Sequence, residues 1–304
     1  MPRSRNEVLR LSVLLTCAAL ATSRLGLVAH ELVGHGGTAL ALGAHVTEVR
    51  LFWFAGGWIH YVLDDASVGK LLAIAMGGIA VELACGLALL LAVRGDAFGR
   101  RIIRGIGAAL VLHGSWYLAT GAWSGFGDGQ LLYRVLGESR YAVAIAAGAV
   151  TCTAAFAGAR GVFGALAGTI TSHRVAGTCI AIAIAAGIHT GLAVGELRVR
   201  RDQAYTSVMA PERERIVARE LASWTNEQGG APSDSALAAQ RAKLEDAHRV
   251  FPFAWLLGIC AAVCAVVGAR RSRLGEPPAR LPLAFAGAAA AISIGGVILL
   301  SYLT

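Results

Sequence analysis

Seven apolar runs, each close to the roughly 20 residues that cross a bilayer, divide this chain and decide its solvent. They cover residues 11–43, 70–93, 102–122, 141–159, 175–195, 251–268 and 282–303. Backbone polar groups in hydrocarbon must pair within their own segment, so the runs predict helices. The expected fold class is an all-α polytopic membrane protein with about seven transmembrane helices and a small membrane-associated β-hairpin. Composition agrees: 56% of the 304 residues are hydrophobic and 15% charged, a balance that excludes an ordinary soluble domain.

The net charge of +8 is no nucleic-acid footprint, because the basic residues sit at the ends of the apolar runs and not on one face. No nucleic-acid partner is expected; the lipid bilayer is. Cys17, Cys85, Cys152, Cys179, Cys260 and Cys264 all lie in apolar stretches with no CxxC pair, so neither a disulfide framework nor a thiolate zinc site is indicated. Residues 1–21 have the basic and apolar regions of a secretory signal, but the run continues to about residue 44, so an uncleaved helix is expected.

At 1.5 Å per residue the first run would be on the order of 50 Å long against a hydrocarbon core of about 30 Å. It must tilt, protrude or break, and Arg24 and Gly26 mark the expected break. If every run crosses once, one side receives Arg3, Arg5, Arg10, Arg94, Arg100, Arg101, Arg104, Arg160, Arg174, Arg270, Arg271, Arg273 and Arg280. The short connections opposite hold only Arg50, Lys70, Arg134 and Arg140. The positive-inside rule then predicts a multi-pass protein of the inner or plasma membrane, N-terminus cytoplasmic and C-terminus extracytoplasmic. A hairpin within the first run would invert everything after it.

Two polar pieces interrupt the runs. Residues 45–62, His-Val-Thr-Glu-Val-Arg-Leu-Phe-Trp-Phe-Ala-Gly-Gly-Trp-Ile-His-Tyr-Val, alternate around Gly56-Gly57 and predict a β-hairpin at the membrane surface. Residues 198–250 predict an extracytoplasmic helical loop, with helices at 211–227 and 234–249 around the breaker Gly229-Gly230-Ala231-Pro232-Ser233. About 50 residues make a poor independent core, so this cap is expected to lean on the membrane domain or a partner. The runs at 136–197 add two helices and those at 251–304 a C-terminal pair.

The chemistry concentrates in His30-Glu31-Leu32-Val33-Gly34-His35. Two imidazoles on one helix face hold a zinc ion, and a glutamate beside them takes a proton from water. Here the histidines are five apart, about 140° around a regular helix, so a regular helix would not chelate with both. Three resolutions stay open. One π-type turn absorbs the extra residue; or Glu31 and His35, four apart, are the ligand pair with His30 behind them; or the helix ends near Gly34, Gly36 and Gly37. Asp128, in Gly125-Phe126-Gly127-Asp128-Gly129-Gln130, offers a third ligand on the same side of the membrane as the end of the first run, although Gly-Asp-Gly is also ordinary turn chemistry.

These residues resemble the site-2 protease group of intramembrane zinc metalloproteases, peptidase family M50, especially its M50B-like bacterial branch. The resemblance rests on HELVGHGGTALALGAHVTEVRLFWFAGGWIHY, two further apolar runs and GDGQLL, and covers roughly residues 10–135. It implies that residues 1–135 are a metalloprotease-like core, with His30, His35 and Asp128 as zinc ligands and Glu31 as general base. It also implies close helix packing at Met76-Gly77-Gly78, and a membrane protein or peptide as substrate. The chain differs from that family in the extra residue between the histidines and in lacking Asn-Pro before Asp-Gly.

Arg24, His60 and Glu82 are candidates to support the ligands from behind. Glu82 lies mid-run and either lines a cavity or pairs with Arg24 or another buried donor. His113, 15 residues before Asp128, is expected outside that site. His189 reads as a packing histidine, and Trp53, Trp58 and Trp116 as interface aromatics. Two alternatives to the hydrolase remain: an inactive M50-like scaffold or regulator, favoured by the extra residue, and a metal-handling or transport protein using His30, His35, Glu82 and His113, disfavoured by the lack of paired broken helices in two repeated halves.

Overall fold

The structure, a computed structural model, describes residues 2–228, 231–249 and 251–303, so Gly229 and Gly230 of the expected breaker lie outside the described residues. Among these, seven helices are long and apolar enough to cross a membrane. The first is continuous. Helix α1 (Pro2–Val28) passes into a π-helical segment (Ala29–Gly36) and then α2 (Gly37–Ala41), and this rod contains the first candidate span, the 37-residue Arg5–Ala41. The expected break at Arg24 and Gly26 does not occur; the irregularity falls later, around the two histidines. Strands β1 (His45–Leu51) and β2 (Gly57–Val62) follow, then α3 (Val68–Ala92), α4 (Phe98–Ser124), α5 (Gly129–Leu136), α6 (Ser139–Gly168) and α7 (Arg174–Arg200). The cap holds α8 (Gln203–Met209), α9 (Glu212–Glu227) and α10 (Asp234–Ala247), and α11 (Phe253–Arg270) and α12 (Leu283–Leu303) close the chain. The short helices α5 and α8 were not expected from the sequence.

Helix α4 packs between α3 and α6, α6 also meets α11, and α1 is flanked by α7 and α12. Small residues set these distances. A methyl on Gly86 of α3 would stand 2.7 Å from the Gly107 carbonyl oxygen of α4, a backbone approach only glycine permits. Thr151 of α6 donates to Ser115 of α4 at 2.9 Å, one of the interhelical hydrogen bonds that hydrocarbon favours. Large apolar side chains such as Trp255, Phe285 and Ile292 are exposed, as lipid-facing positions should be.

Successive crossings bring the β-hairpin, the 125–128 loop and the cap to the same end of the bundle. The hairpin is antiparallel, with an irregularity between Val46 and Glu48. Its turn, 52–56, is gripped from two helices. Glu196 of α7 accepts the amides of Trp53, Phe54 and Ala55 at 2.7, 2.6 and 3.0 Å. Arg24 of α1, itself 4% exposed, donates to the carbonyls of Phe52, Phe54 and Ala55 at 2.8–2.9 Å. A buried arginine is thus neutralised by carbonyl dipoles within reach of a carboxylate, and no helix break is needed to wet it. Removing the guanidinium takes the donor from three carbonyls, with the bonds to Phe52 and Ala55 buried. Arg24→Ala is therefore expected to lower stability by about 3 kcal/mol, measured as the unfolding midpoint in detergent, with Arg24→Lys only partly restoring it because an ammonium lacks the planar fork.

Candidate metal centre

The five-residue separation of His30 and His35 falls within the π-helical segment. A π turn advances about five residues per turn in hydrogen bonding, so residues five apart return to one face. The His30 and His35 rings meet edge to face with centroids 4.7 Å apart and Nε2 atoms 3.1 Å apart. Of the three resolutions left open by the sequence, the chain adopts the first.

Asp128 joins them from the loop after α4. Its Oδ2 lies 3.1 Å from His30 Nε2 and 3.2 Å from His35 Nε2. The residue occupies the position that caps α5, yet its side chain makes no capping bond there; it turns to the histidines instead. Glycines make that turn possible. Gly125 and Gly127 have φ of +68° and +52°, and a methyl on Gly129 would run into the backbone of Gly121.

Proton positions follow from the acceptors behind the rings. His35 Nδ1–H donates to the Ile74 carbonyl of α3 at 2.7 Å, and His30 Nδ1 faces Glu82 Oε1 at 3.5 Å. With His35 Nδ1 protonated, its Nε2 lone pair faces His30 Nε2 and the Asp128 Oδ2 atom, both buried and within 3.1–3.2 Å of it. When His30 also carries its proton on Nδ1, beside Glu82, three acceptors converge and a cation among them relieves their repulsion. Donors bound at about 2.0–2.1 Å with tetrahedral angles stand about 3.3–3.4 Å apart, so the observed triangle fits a metal held on one side with further positions open. His30, His35 and Asp128 form a group able to hold a metal ion.

Around the triad, Glu31 is 5% exposed and close enough to interact electrostatically with His30, His35 and Asp128. A methyl on Gly57, where β2 begins, would stand 3.1 Å from Glu31 Cγ, so the hairpin covers that carboxylate. Glu82 is also 5% exposed; its second oxygen takes His113 Nδ1 at 2.9 Å. His113, expected outside the site, therefore connects to it through Glu82, and Glu82 does not pair with Arg24. Arg24 holds the hairpin turn, and His60 packs edge-on against Trp58, exposed on the strand. His189 meets Ser23 at 3.1 Å, a packing role.

Several residues of the site had not been singled out. Tyr117 of α4 accepts the Asp128 amide at 3.4 Å. Tyr205 of α8 reaches the hairpin at Gly56, and burial, then the nearby Glu31 carboxylate, push its phenol up. Glu196, an acid at the end of an apolar run, is the one that intramembrane ionisability could have flagged. Comparison of the chain with known protein families, curated proteins and solved structures finds no match.

Proposed function

We propose that the chain is a zinc-dependent endopeptidase acting within or beside the membrane, in the manner of site-2 proteases. One observation carries the reading: two imidazole nitrogens and a carboxylate oxygen, all buried, converge within 3.1–3.2 Å of one another beside the buried acid Glu31. His30, His35 and Asp128 would hold the metal. Zinc in such a site supplies Lewis-acid polarisation of a carbonyl and brings water toward ionisation at neutral pH. Two histidines and a carboxylate also suit ferrous iron, so the proton acceptor next to them is what favours hydrolysis.

The chain's own residues divide the remaining work. Glu31 accepts a proton from the attacking water at its carboxylate and returns it to the leaving amide nitrogen. The Ile74 carbonyl fixes His35 as its Nδ1–H tautomer, and Glu82 stands behind His30 Nδ1. The hairpin and the cap exclude bulk water from the acid. The substrate class is a membrane protein or peptide, since the site lies at one end of a helical bundle. The arginine distribution supports an extracytoplasmic position for that end and a cytoplasmic N-terminus.

Metal analysis of the purified chain in detergent tests this directly. The expected result is near-stoichiometric zinc, lost in His35→Ala and in Asp128→Ala and retained in His60→Ala. Outer partners typically govern metal affinity by about 10–100-fold, so Glu82→Gln is expected to weaken zinc without abolishing it. A folded wild-type chain without zinc would end the hydrolase reading and favour the scaffold.

A further inference from the structure

The metal centre is closed. His30, Glu31 and His35 are 5–7% exposed, yet an endopeptidase must admit an extended polypeptide with its backbone paired. The segment 202–212 of the cap packs against both the hairpin and the loop that carries Asp128. At its start Asp202 faces Arg50 of β1 at 3.6 Å and caps α8 through the Tyr205 amide at 2.9 Å. Tyr205 then stacks edge-on against Phe52, with its hydroxyl at Gly56 beside the glycine that covers Glu31. Met209 Sδ meets the Tyr117 hydroxyl at 3.9 Å, and that hydroxyl contacts the Asp128 amide.

The far end is bound to the ligand loop itself. Gly127, next to Asp128, donates its amide to the Val208 carbonyl at 3.0 Å, and the Glu212 amide donates to the Gly125 carbonyl at 3.0 Å. The order is antiparallel: 127 meets 208 and 125 meets 212. Glu212, 3% exposed, is then locked by Arg134 of α5 at 3.0 and 3.3 Å and by Arg219 at 3.1 Å. Between these anchors the segment borders a cavity of about 380 Å³ lined by Leu197, Asp202, Tyr205, Met209, Pro211 and Glu214. It joins the two walls of the site, hairpin on one side and ligand loop on the other.

We propose that the backbone edge at Gly125–Gly127 is the seat for an extended polypeptide substrate, and that residues 202–212 occupy it as an internal strap that must lift before cleavage. This rests on the endopeptidase reading for the identity of the ligand. The Gly127 amide and Gly125 carbonyl supply the main-chain pairing that an unwound segment needs, one residue from a metal ligand. The strap supplies the same pairing from within the chain and keeps the Gly127 amide and the Gly125 carbonyl satisfied while the site rests. Its helix α8 is only seven residues and has no buried residues, which makes opening local and leaves the bundle intact.

The test uses the full chain in detergent, with its six cysteines replaced and Glu31→Cys as reporter, exposed to a bulky water-soluble maleimide. Removing the plugging side chains with Tyr205→Ala and Met209→Ala is expected to raise the labelling rate by at least about tenfold while the unfolding midpoint holds. An unchanged rate would overturn the strap. Hydrogen exchange of the unaltered chain guards against a misfolded variant. The Gly127 and Glu212 amides are expected to exchange at least about 100-fold faster than those of α3; exchange only together with α3 would equally overturn it. Neither readout uses metal or turnover. A chain without zinc but with gated labelling loses the hydrolase and keeps the strap, whereas a zinc-loaded chain with ungated labelling loses the strap alone.

Discussion

Glu31→Gln is expected to leave zinc bound at wild-type stoichiometry and to lower peptide-bond cleavage by about 10²–10⁴-fold, the range general acid–base catalysis usually contributes. The amide matches the carboxylate in size, so the packing under Gly57 and the ligand triangle of His30, His35 and Asp128 are undisturbed. What it lacks is an acceptor for the proton of the attacking water. The loss should fall on kcat with little change in KM, because no ground-state contact to the peptide is removed. A scaffold would tolerate the substitution in its binding assays, and a transporter would lose flux with no product to follow. Cleavage that survives in Glu31→Gln with zinc still bound would sink the mechanism, since Glu31 is the acid to which it assigns the proton.

The bundle was legible because lipid imposes a simple rule: every apolar run must satisfy its own backbone. All seven runs are helices, although α6 and α7 extend past their apolar stretches to Gly168 and Arg200, α6 because Ala165, Leu166 and Ala167 pack into the bundle beyond Arg160. The hairpin was legible from alternation around Gly56-Gly57. Arg24 misled in a specific way. A lone arginine in an apolar run reads as a reason to break the helix, but its actual partners are carbonyls of a turn about 30 residues later, and no local pattern carries that.

The candidate site was half legible for a related reason. The residue types at 30, 31, 35 and 128 stood out because buried ionisable groups need an explanation. Spacing alone left three geometries open for the histidines, and the choice among them is made by α3. A π turn widens the helix and strains its hydrogen bonds, a cost that close packing of Gly34 on Gly77 and Gly78 offsets. The strap escaped notice because polar cap sequence carries no periodic signal; its anchors, Glu212 to Arg134 and Tyr205 to Gly56, are long-range pairs.

Gly78→Ala is expected to abolish zinc binding, and it tests the architecture more sharply than removal of a ligand. Ile74, Gly78 and Glu82 recur at four-residue intervals along one face of α3, so the carbonyl that fixes His35, the bare floor of the site and the carboxylate behind His30 form one stripe. A methyl built on Gly78 would lie 2.5 Å from His30 Nε2 and 2.6 Å from His35 Nε2, well inside contact distance for carbon and nitrogen. Either the rings rotate, which breaks the convergence of their lone pairs, or α3 moves off the π segment, which releases the Ile74 bond. Both routes lose the metal; overpacking adds a stability cost of about 1–3 kcal/mol. Gly69→Ala on the same helix meets nothing within 4 Å and serves as the control, with zinc and midpoint expected at wild-type values. Zinc bound at wild-type affinity in Gly78→Ala would mean that the histidine rings do not lie over α3. A loss confined to Gly78→Ala would tie chelation to the π turn, because only a helix widened at Ala29–Gly36 brings both rings onto that glycine.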